Sequence, residues 1–533
     1  MRVQWTWAVG AALAAVLSGC PQQGVVCQVG TDKCNGGCAD FSADVRNCGA
    51  CGNACGSGQE CRSGVCACAA GTTSCDGACV VTATDARHCG GCGNACAPGD
   101  VCGAELTADG GVAASCRSTC AEGTVQCGQG CVDLSNDSQN CGACGVACDN
   151  QRSCRGGVCA YDVVLACTSF GQVTGVRASD LAAGPKAAAG TNPSALARYG
   201  AVLLSADYGE RLLKQLTLSG FEALSNGGGA EPAVGSVPNQ VLALPARNLV
   251  LVVNGDLGTL QALSVQPADG GAGLQLQTVG EVNFGANTYP QAVAVVGDTA
   301  WVPLYGGYSA DTATAGQKVV PVDVSNPSNL VAGTPVDLAG LDLKPFSASV
   351  TAIARPYALV AWKGKLYAPL NNLDVGYQPA GPGMVLELDP ETKGLSAVDL
   401  GAVCLNAAGL TATADALYVS CTGKVTYDTN YVATAVEKAS VVKLGKGATG
   451  ALEQLASWSV ACPAGGACPS PGRLAVSGGR VFVADQAAGR VFVLSASDLS
   501  EVAGFTAGTP LQACPAPDGT TTFYSNVGDV LAP

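Results

Sequence analysis

Beyond residue 160 the apolar positions fall in short runs, each closed by Gly, Asn or Asp and followed by another run. The 3.6-residue recurrence of an amphipathic helix is absent, and Ala is the only helix former in any quantity, so the runs read as strands. One unit recurs: a strand, a tight turn, a more hydrophobic strand and a polar loop. It is seen in ALARYGAVLLSADYG (195–209), VLALPARNLVLVVNG (241–255), AVAVVGDTAWVPLYG (292–306), LVAWKGKLYAPLNN (359–372), LTATADALYVSCTG (410–423) and RLAVSGGRVFVADQA (473–487). A third strand follows in most copies, as in RLLKQLTL, TLQALSV and MVLELDP. The turns ARN, VGD, WKGK and SGG carry residue types that hairpins require.

Six such units, spaced about 40–65 residues apart, match the blade period of a β-propeller. A seventh blade is expected from the two ends of this region, VVLACTSFGQVTGV (163–176) and LQACPAPDGTTTFYSN (511–526), because a ring sealed by its own termini leaves no open edge strand. The expected fold is therefore mainly β, with disulfide-rich small repeats followed by a propeller of seven blades over 161–533. A six- or eight-bladed ring, a pair of β-sandwiches or a β-helix are the competing architectures.

Residues 27–159 follow a different rule, set by cysteine. Of 31 cysteines in the chain, 24 lie here. Copy one (27–66) uses Cys27, Cys34, Cys38, Cys48, Cys51, Cys55, Cys61 and Cys66. Copy two (68–116) uses Cys68, Cys75, Cys79, Cys89, Cys92, Cys96, Cys102 and Cys116. Copy three (120–159) uses Cys120, Cys127, Cys131, Cys141, Cys144, Cys148, Cys154 and Cys159. All read C-x6-C-x3-C-x9-C-x2-C-x3-C-x5-C, and only the last gap differs, being longer in copy two. Identical gaps in three copies define a repeat array. Asp44, Asp85 and Asp137 precede each NCGxCGxxC-type core at a fixed offset and are expected to cap a turn through backbone N–H groups; calcium ligation by them is the weaker reading. His88 stands where the sister copies have Asn47 and Asn140, and reads as an interchangeable turn residue.

The start of the chain assigns the redox compartment. Arg2 precedes an apolar stretch from Ala8 to Leu17, too short to span a bilayer, which reads as a secretory signal over 1–19. Leu17-Ser18-Gly19-Cys20 resembles the bacterial lipobox, which implies lipidation of Cys20, with 20–26 as a short tether; Pro21 in place of Asp points to the outer membrane. The competing reading is an ordinary signal whose Cys20 pairs with another cysteine. An exported chain favours disulfides over zinc thiolates, and a redox C-x-x-C would need a βαβ setting that these glycine-rich loops lack. Setting aside Cys20 and the repeat cysteines leaves six: Cys167, Cys404, Cys421, Cys462, Cys468 and Cys514. Their positions suggest Cys462 with Cys468, Cys404 with Cys421, and Cys167 with Cys514. Every thiol then has a partner only if Cys20 is modified.

The repeat spacing and its NCGxCGxxC core resemble the cysteine-rich domain of plant Stig1 (stigma-specific) proteins, and still more its counterparts in exported lipoproteins of myxobacteria and their relatives. The resemblance covers 27–159. It implies an extracellular binding or signalling module and carries no catalytic residue with it.

Charge and composition narrow the function further. Lys+Arg 27 against Asp+Glu 41 gives a net charge of −14, which removes the basic footprint needed for nucleic acid. With His88 the single histidine, a Ser-His-Asp triad or His-ligated metal cannot be built in the ring, and no G-x-S-x-G, P-loop or HExxH occurs. Asp207, Asp256, Asp374 and Asp485 follow second strands and could gather at one mouth, where Ca²⁺ is the conceivable guest; solvated loop acids are the blander reading. Trp301, Trp362, Tyr305, Tyr367 and Tyr418 recur on second strands and read as inter-blade core before they read as a glycan platform. No cofactor is expected. The expectation from sequence is thus an outer-membrane lipoprotein, facing the periplasm or the cell surface, whose repeats and propeller bind a protein or glycan partner rather than catalyse. The alternative is a Ca-dependent hydrolase resembling lactonase-type propellers.

Overall fold

A computed structural model describes residues 32–533, apart from 35–36, 43, 57–58, 69–71, 107–111, 150–151, 179–180, 182, 228, 269–272, 308, 310–311, 428–432, 463–467, 487–489, 503–510, 512–513 and 515–527. The signal segment, Cys20 and Cys27 lie outside the described residues. Two compact units divide the chain, one ending at Asp133 and one running from Leu134 to Pro533. The second unit therefore begins inside the third cysteine repeat.

In the first unit, short hairpins hang on crossed disulfides. Gln59–Arg62 pairs with Val65–Cys68, and Thr73–Cys75 with Ala78–Val80. The longer last gap of copy two forms a hairpin, Val101–Leu106 against Val112–Arg117. It also joins Gly130–Val132 in parallel, through Gly130 opposite Cys102. Cys48, Cys61, Cys75, Cys89 and Cys102 are among the most buried residues here. Sulfur thus fills the place of an aliphatic core, as a unit too small to bury much apolar area requires. Gly49 shows how tight this is: at φ +72°, a Cβ on it would lie 2.3 Å from the Gly64 carbonyl oxygen.

Beyond the rest of the third repeat, the second unit is a β-propeller. Among the described residues, seven antiparallel sheets follow one another. Their second strands are Val163–Cys167 (counting the closing strand as the first), Val202–Asp207, Leu249–Asn254, Thr299–Leu304, Lys365–Leu370, Leu417–Cys421 and Arg480–Asp485. These strands are buried on both faces, which is why they read as continuous apolar runs without polar alternation. Successive side chains serve opposite neighbours. Leu203 shares a buried cluster with Val164 of the first sheet, and Leu204 one with Val250 of the third. Leu251 goes with Val302, Trp301 with Leu366, Tyr367 with Val419, and Val441 with Val481. Phe482 of the last sheet returns to Val163 of the first. The clusters run sheet to sheet around a closed cycle.

Closure differs in detail from the sequence expectation. The strand that pairs with Val163–Cys167 is Asp529–Leu531, with Leu165 opposite Val530. Leu511 instead bridges Val491, extending the last sheet outward, and 515–526 lie outside the described residues. A short C-terminal strand after a loop gives too little apolar pattern to be found in sequence. Asp529 is buried, accepts the Leu196 N–H at 2.8 Å and so ties the closing strand to the next sheet. Arg473, on the innermost strand of the last sheet, donates to the Asn239 carbonyl on the innermost strand of the third, across the ring.

Candidate functional site

The cysteines form one repeating weave. Where complete, each copy joins its first to third, second to fifth, fourth to seventh and sixth to eighth cysteine. Copy two shows all four bonds: Cys68–Cys79, Cys75–Cys92, Cys89–Cys102 and Cys96–Cys116. Copy one shows Cys34–Cys51, Cys48–Cys61 and Cys55–Cys66, and copy three Cys120–Cys131, Cys141–Cys154 and Cys148–Cys159; Cys127 and Cys144 are also disulfide-bonded. Sulfur triplets such as Cys48, Cys55 and Cys66 lie within 4.8 Å of one another, but they belong to two crossed disulfides and offer no thiolate to a metal. In the turns, Asp44, Asp85 and Asp137 accept the N–H two residues on, each at 2.8 Å. The Asn47 side chain, and after it the Arg46 N–H, holds the Asp44 carboxyl below its usual range. Asn47 and Asn140 then accept from Gly52 and Gly145 at 2.8 Å, and His88 does the same for Gly93 through Nδ1 at 3.0 Å. His88 is a turn acceptor in Asn's place.

In the ring, Cys167 is bonded to Cys514, Cys404 to Cys421 and Cys462 to Cys468. The first spans 347 residues and joins the two ends of the propeller.

The four strand-end acids are each engaged locally. Asp207 accepts from the backbone N–H groups of Asn192 (2.6 Å) and Glu210 (2.7 Å). Gly190, at φ +122°, makes this approach feasible, since a Cβ there would sit 2.1 Å from the Asp207 carboxylate. Asp256 accepts from Ser236 and Val237, and Asp374 from Gly376 and Gln378. Burial raises Asp256, but the Ser236 hydroxyl and these N–H groups outweigh it and leave its carboxyl lowered. Asp485 accepts the Ser470 N–H and pairs with Arg490 at 2.6 Å. They are loop anchors, and no three carboxylates among the described residues come together at a metal-holding distance.

The aromatic series divides. Trp301, Trp362, Tyr367 and Tyr418 are buried between sheets. Trp362 meets Tyr367 edge-on at 5.6 Å and donates to the Thr413 carbonyl; Tyr418 donates to that of Ala496. Tyr367 donates to Glu387, which also pairs with Lys365 and with Lys446 (2.8 Å). These side chains zip neighbouring sheets together.

Tyr305 belongs to something else. Its ring lies 4.9 Å from the guanidinium carbon of Arg355, and the ring of Tyr377 lies 4.4 Å from it on a cation–π contact. Tyr357 meets Tyr305 edge-on at 5.9 Å. Gly307 collects two donors, Arg355 Nη1 at 3.3 Å and the Tyr377 hydroxyl at 3.0 Å. Arg355 is 0% exposed, yet its Nε and Nη2 find no acceptor. Burial pushes the Tyr377 phenol up, and the Arg355 charge opposes that shift only in part.

Sequence reasoning missed Arg355, although a signal was present. Pro193, Pro238 and Pro471 open the innermost strands of three sheets, and Pro290 and Pro356 hold the same register as bridges, opposite Asp207, Asn254, Asp485, Leu304 and Leu370 respectively. Proline suits the first residue of a strand because it has no N–H to leave unpaired. The residues just before it, Asn192, Val237, Tyr289, Arg355 and Ser470, therefore stand on one rim of the ring. Arg355 is the sole cation of that series, and it and Tyr289 hold left-handed backbones at φ +46° and +44°, against the extended preference of a residue before proline.

Residues 103–162 match the stigma-specific STIG1-like protein family, a narrower span than the three repeats. No curated protein matches the chain. Among solved structures, a Lactobacillus plantarum protein is 15% identical, with 69% of this chain and 98% of that one covered at a TM-score of 0.48. A Bacteroides uniformis protein, named as a candidate 6-phosphogluconolactonase, is 13% identical, with 66% and 97% covered at 0.44. The β-propeller domain of Cps50 (Swd1) from Myceliophteria thermophila is 11% identical, with 61% and 87% covered at 0.40. Likenesses this distant carry no activity across.

Proposed function

We propose that this chain is an exported, disulfide-built binding protein. Lipidation at Cys20 anchors it at the outer membrane, the cysteine repeats act as a stalk or binding array, and a seven-bladed ring binds a protein or glycan partner. The observation that carries binding over catalysis is the engagement of Asp207, Asp256, Asp374 and Asp485 by nearby N–H groups and an arginine. Acids spent on holding loops are poorly placed to ligate a catalytic Ca²⁺, which takes six to eight oxygens. The weave of disulfides supports an oxidising compartment.

The test is capture. The oxidised chain, immobilised, is offered envelope glycans and surface proteins, and retained species are identified; separately, Cys20→Ser is followed through membrane fractionation. The proposal expects a specific retained ligand and release of Cys20→Ser from the membrane fraction. Ca-dependent lactone hydrolysis without any retained ligand would overturn the binding reading, and a membrane-bound Cys20→Ser would overturn the anchor.

A further inference from the structure

Arg355 is a guanidinium at zero exposure, and no carboxylate among the described residues forms an ion pair with it. One of its nitrogens, Nη1, has the Gly307 carbonyl; the other two, Nε and Nη2, have no acceptor. An uncompensated buried charge is costly, so a fold that keeps one has a use for it. The two open donors are the side-on edge of the guanidinium fork, two parallel N–H groups spaced to match the two oxygens of one carboxylate. A random packing fault would not be expected to leave that pair.

The surroundings suit a ligand. Tyr305 and Tyr377 hold the guanidinium by their ring faces, Tyr357 meets Tyr305 edge-on, and Tyr289, half-buried like Tyr357, precedes Pro290 on the same rim. Three residues of this rim, Tyr289, Arg355 and Tyr377, keep positive φ without being glycine. Tyr377 belongs to a loop pinned by Asp374, which accepts from Gly376 and Gln378, and the loop's tip at Val375 is exposed. Its ring lies 4.4 Å from the guanidinium carbon.

We propose that Arg355 is the anion receptor of the ring: its Nε–Nη2 edge takes the carboxylate of an acidic sugar, Tyr289 and Tyr357 present aromatic faces to the sugar, and Tyr377 moves aside to admit it. This rests on the reading of the ring as a binding module and names its ligand class. A sugar is favoured over a peptide acid because the rim around the cation is aromatic, and ring faces meet the C–H faces of a pyranose without needing further charges.

The experiment is ligand-observed NMR on the full oxidised chain with methyl glucuronide, methyl glucoside and N-acetylglycine. The expected result is glucuronide binding at least about tenfold tighter than glucoside, with N-acetylglycine weaker than glucuronide. Arg355→Lys, which keeps the charge and loses the fork, should bring the glucuronide down to the glucoside level. Equal binding of the two sugars, absence of glucuronide binding, preference for N-acetylglycine, or unchanged binding in a folded Arg355→Lys would each overturn the proposal. The sugar pair decides on the wild-type chain alone, whether or not the variant folds. A ligand captured from the envelope that lacks a carboxylate would defeat this inference while leaving the binding reading intact; capture of nothing would defeat the binding reading itself.

Discussion

At the scale of single residues, the ring spends its acids on its own loops. Asp485 is fully buried, holds the Ser470 N–H and neutralises Arg490. Asp485→Ala strips both at once, and unmet buried donors cost about 1–3 kcal/mol, so the melting temperature of the ring should fall accordingly. Glu387 gives a pH-dependent counterpart. Burial pushes its carboxyl up, but the bonds from Lys365 and Lys446 outweigh this and hold it below the usual range. A depressed carboxyl contributes stability that is present above its unfolded pKa and is lost as the pH falls through the folded one. Glu387→Gln should therefore destabilise the protein at neutral pH by about 1 kcal/mol, a figure discounted for the partial exposure of both lysines, and chemical denaturation should show the difference closing below the carboxylate range. The roles of Asp44 and His88 were legible in sequence, because three copies align residue types at a fixed offset. The strand-end acids showed only their position. Which N–H groups they meet depends on loops that return from elsewhere, as Asp207 meets Asn192.

At the scale of elements, alternation failed as a guide for a physical reason. Second strands such as Leu249–Asn254 lie between two neighbouring sheets and are apolar on both faces, so they announce burial without naming a face. The same strands made the blade units easy to find. The short Asp529–Leu531 strand, by contrast, has little pattern and was missed. The link into the ring is another element that sequence could not place. Arg155, within the third repeat, pairs with the largely buried Asp162 at 2.5 Å and donates to Ser477 Oγ, and its carbonyl accepts from Arg198. Tyr161 follows, stacked on Phe221 at 5.6 Å and lying over Gly175 and Gly184, where a Cβ would collide with its ring. Arg155→Ala leaves Asp162 buried with only the Ala178 N–H. The expected loss is about 1–2 kcal/mol after discounting for the partial exposure of Arg155, and limited proteolysis should cut faster near 150–162.

At the scale of the whole molecule, closure is the feature on which the rest depends. Clusters pass from sheet to sheet until Phe482 meets Val163, Asp529 bonds the next sheet, and Cys167–Cys514 spans 347 residues. Constraining so long a loop in the unfolded chain stabilises by up to about 5 kcal/mol in chain-entropy terms. Cys514→Ser should thus lower the melting temperature of the ring and leave the disulfides of the repeats in place, which thiol labelling would show. The propeller and the even count of ring cysteines were readable from the sequence because both are repeats or parities. The buried Arg355 was not, since a lone arginine before a proline means nothing until the ring sets Tyr305 and Tyr377 against it. What we propose is an exported chain whose oxidised head is locked end to end. Its most direct test is mass-spectrometric peptide mapping, without reduction, of the protein taken from its own membranes. The expected result is a Cys167–Cys514 crosslinked fragment, repeat crosslinks confined within each copy, and a first peptide beginning at an acylated Cys20. Cys167 joined to a repeat cysteine, or free thiols at Cys167 and Cys514, would contradict it.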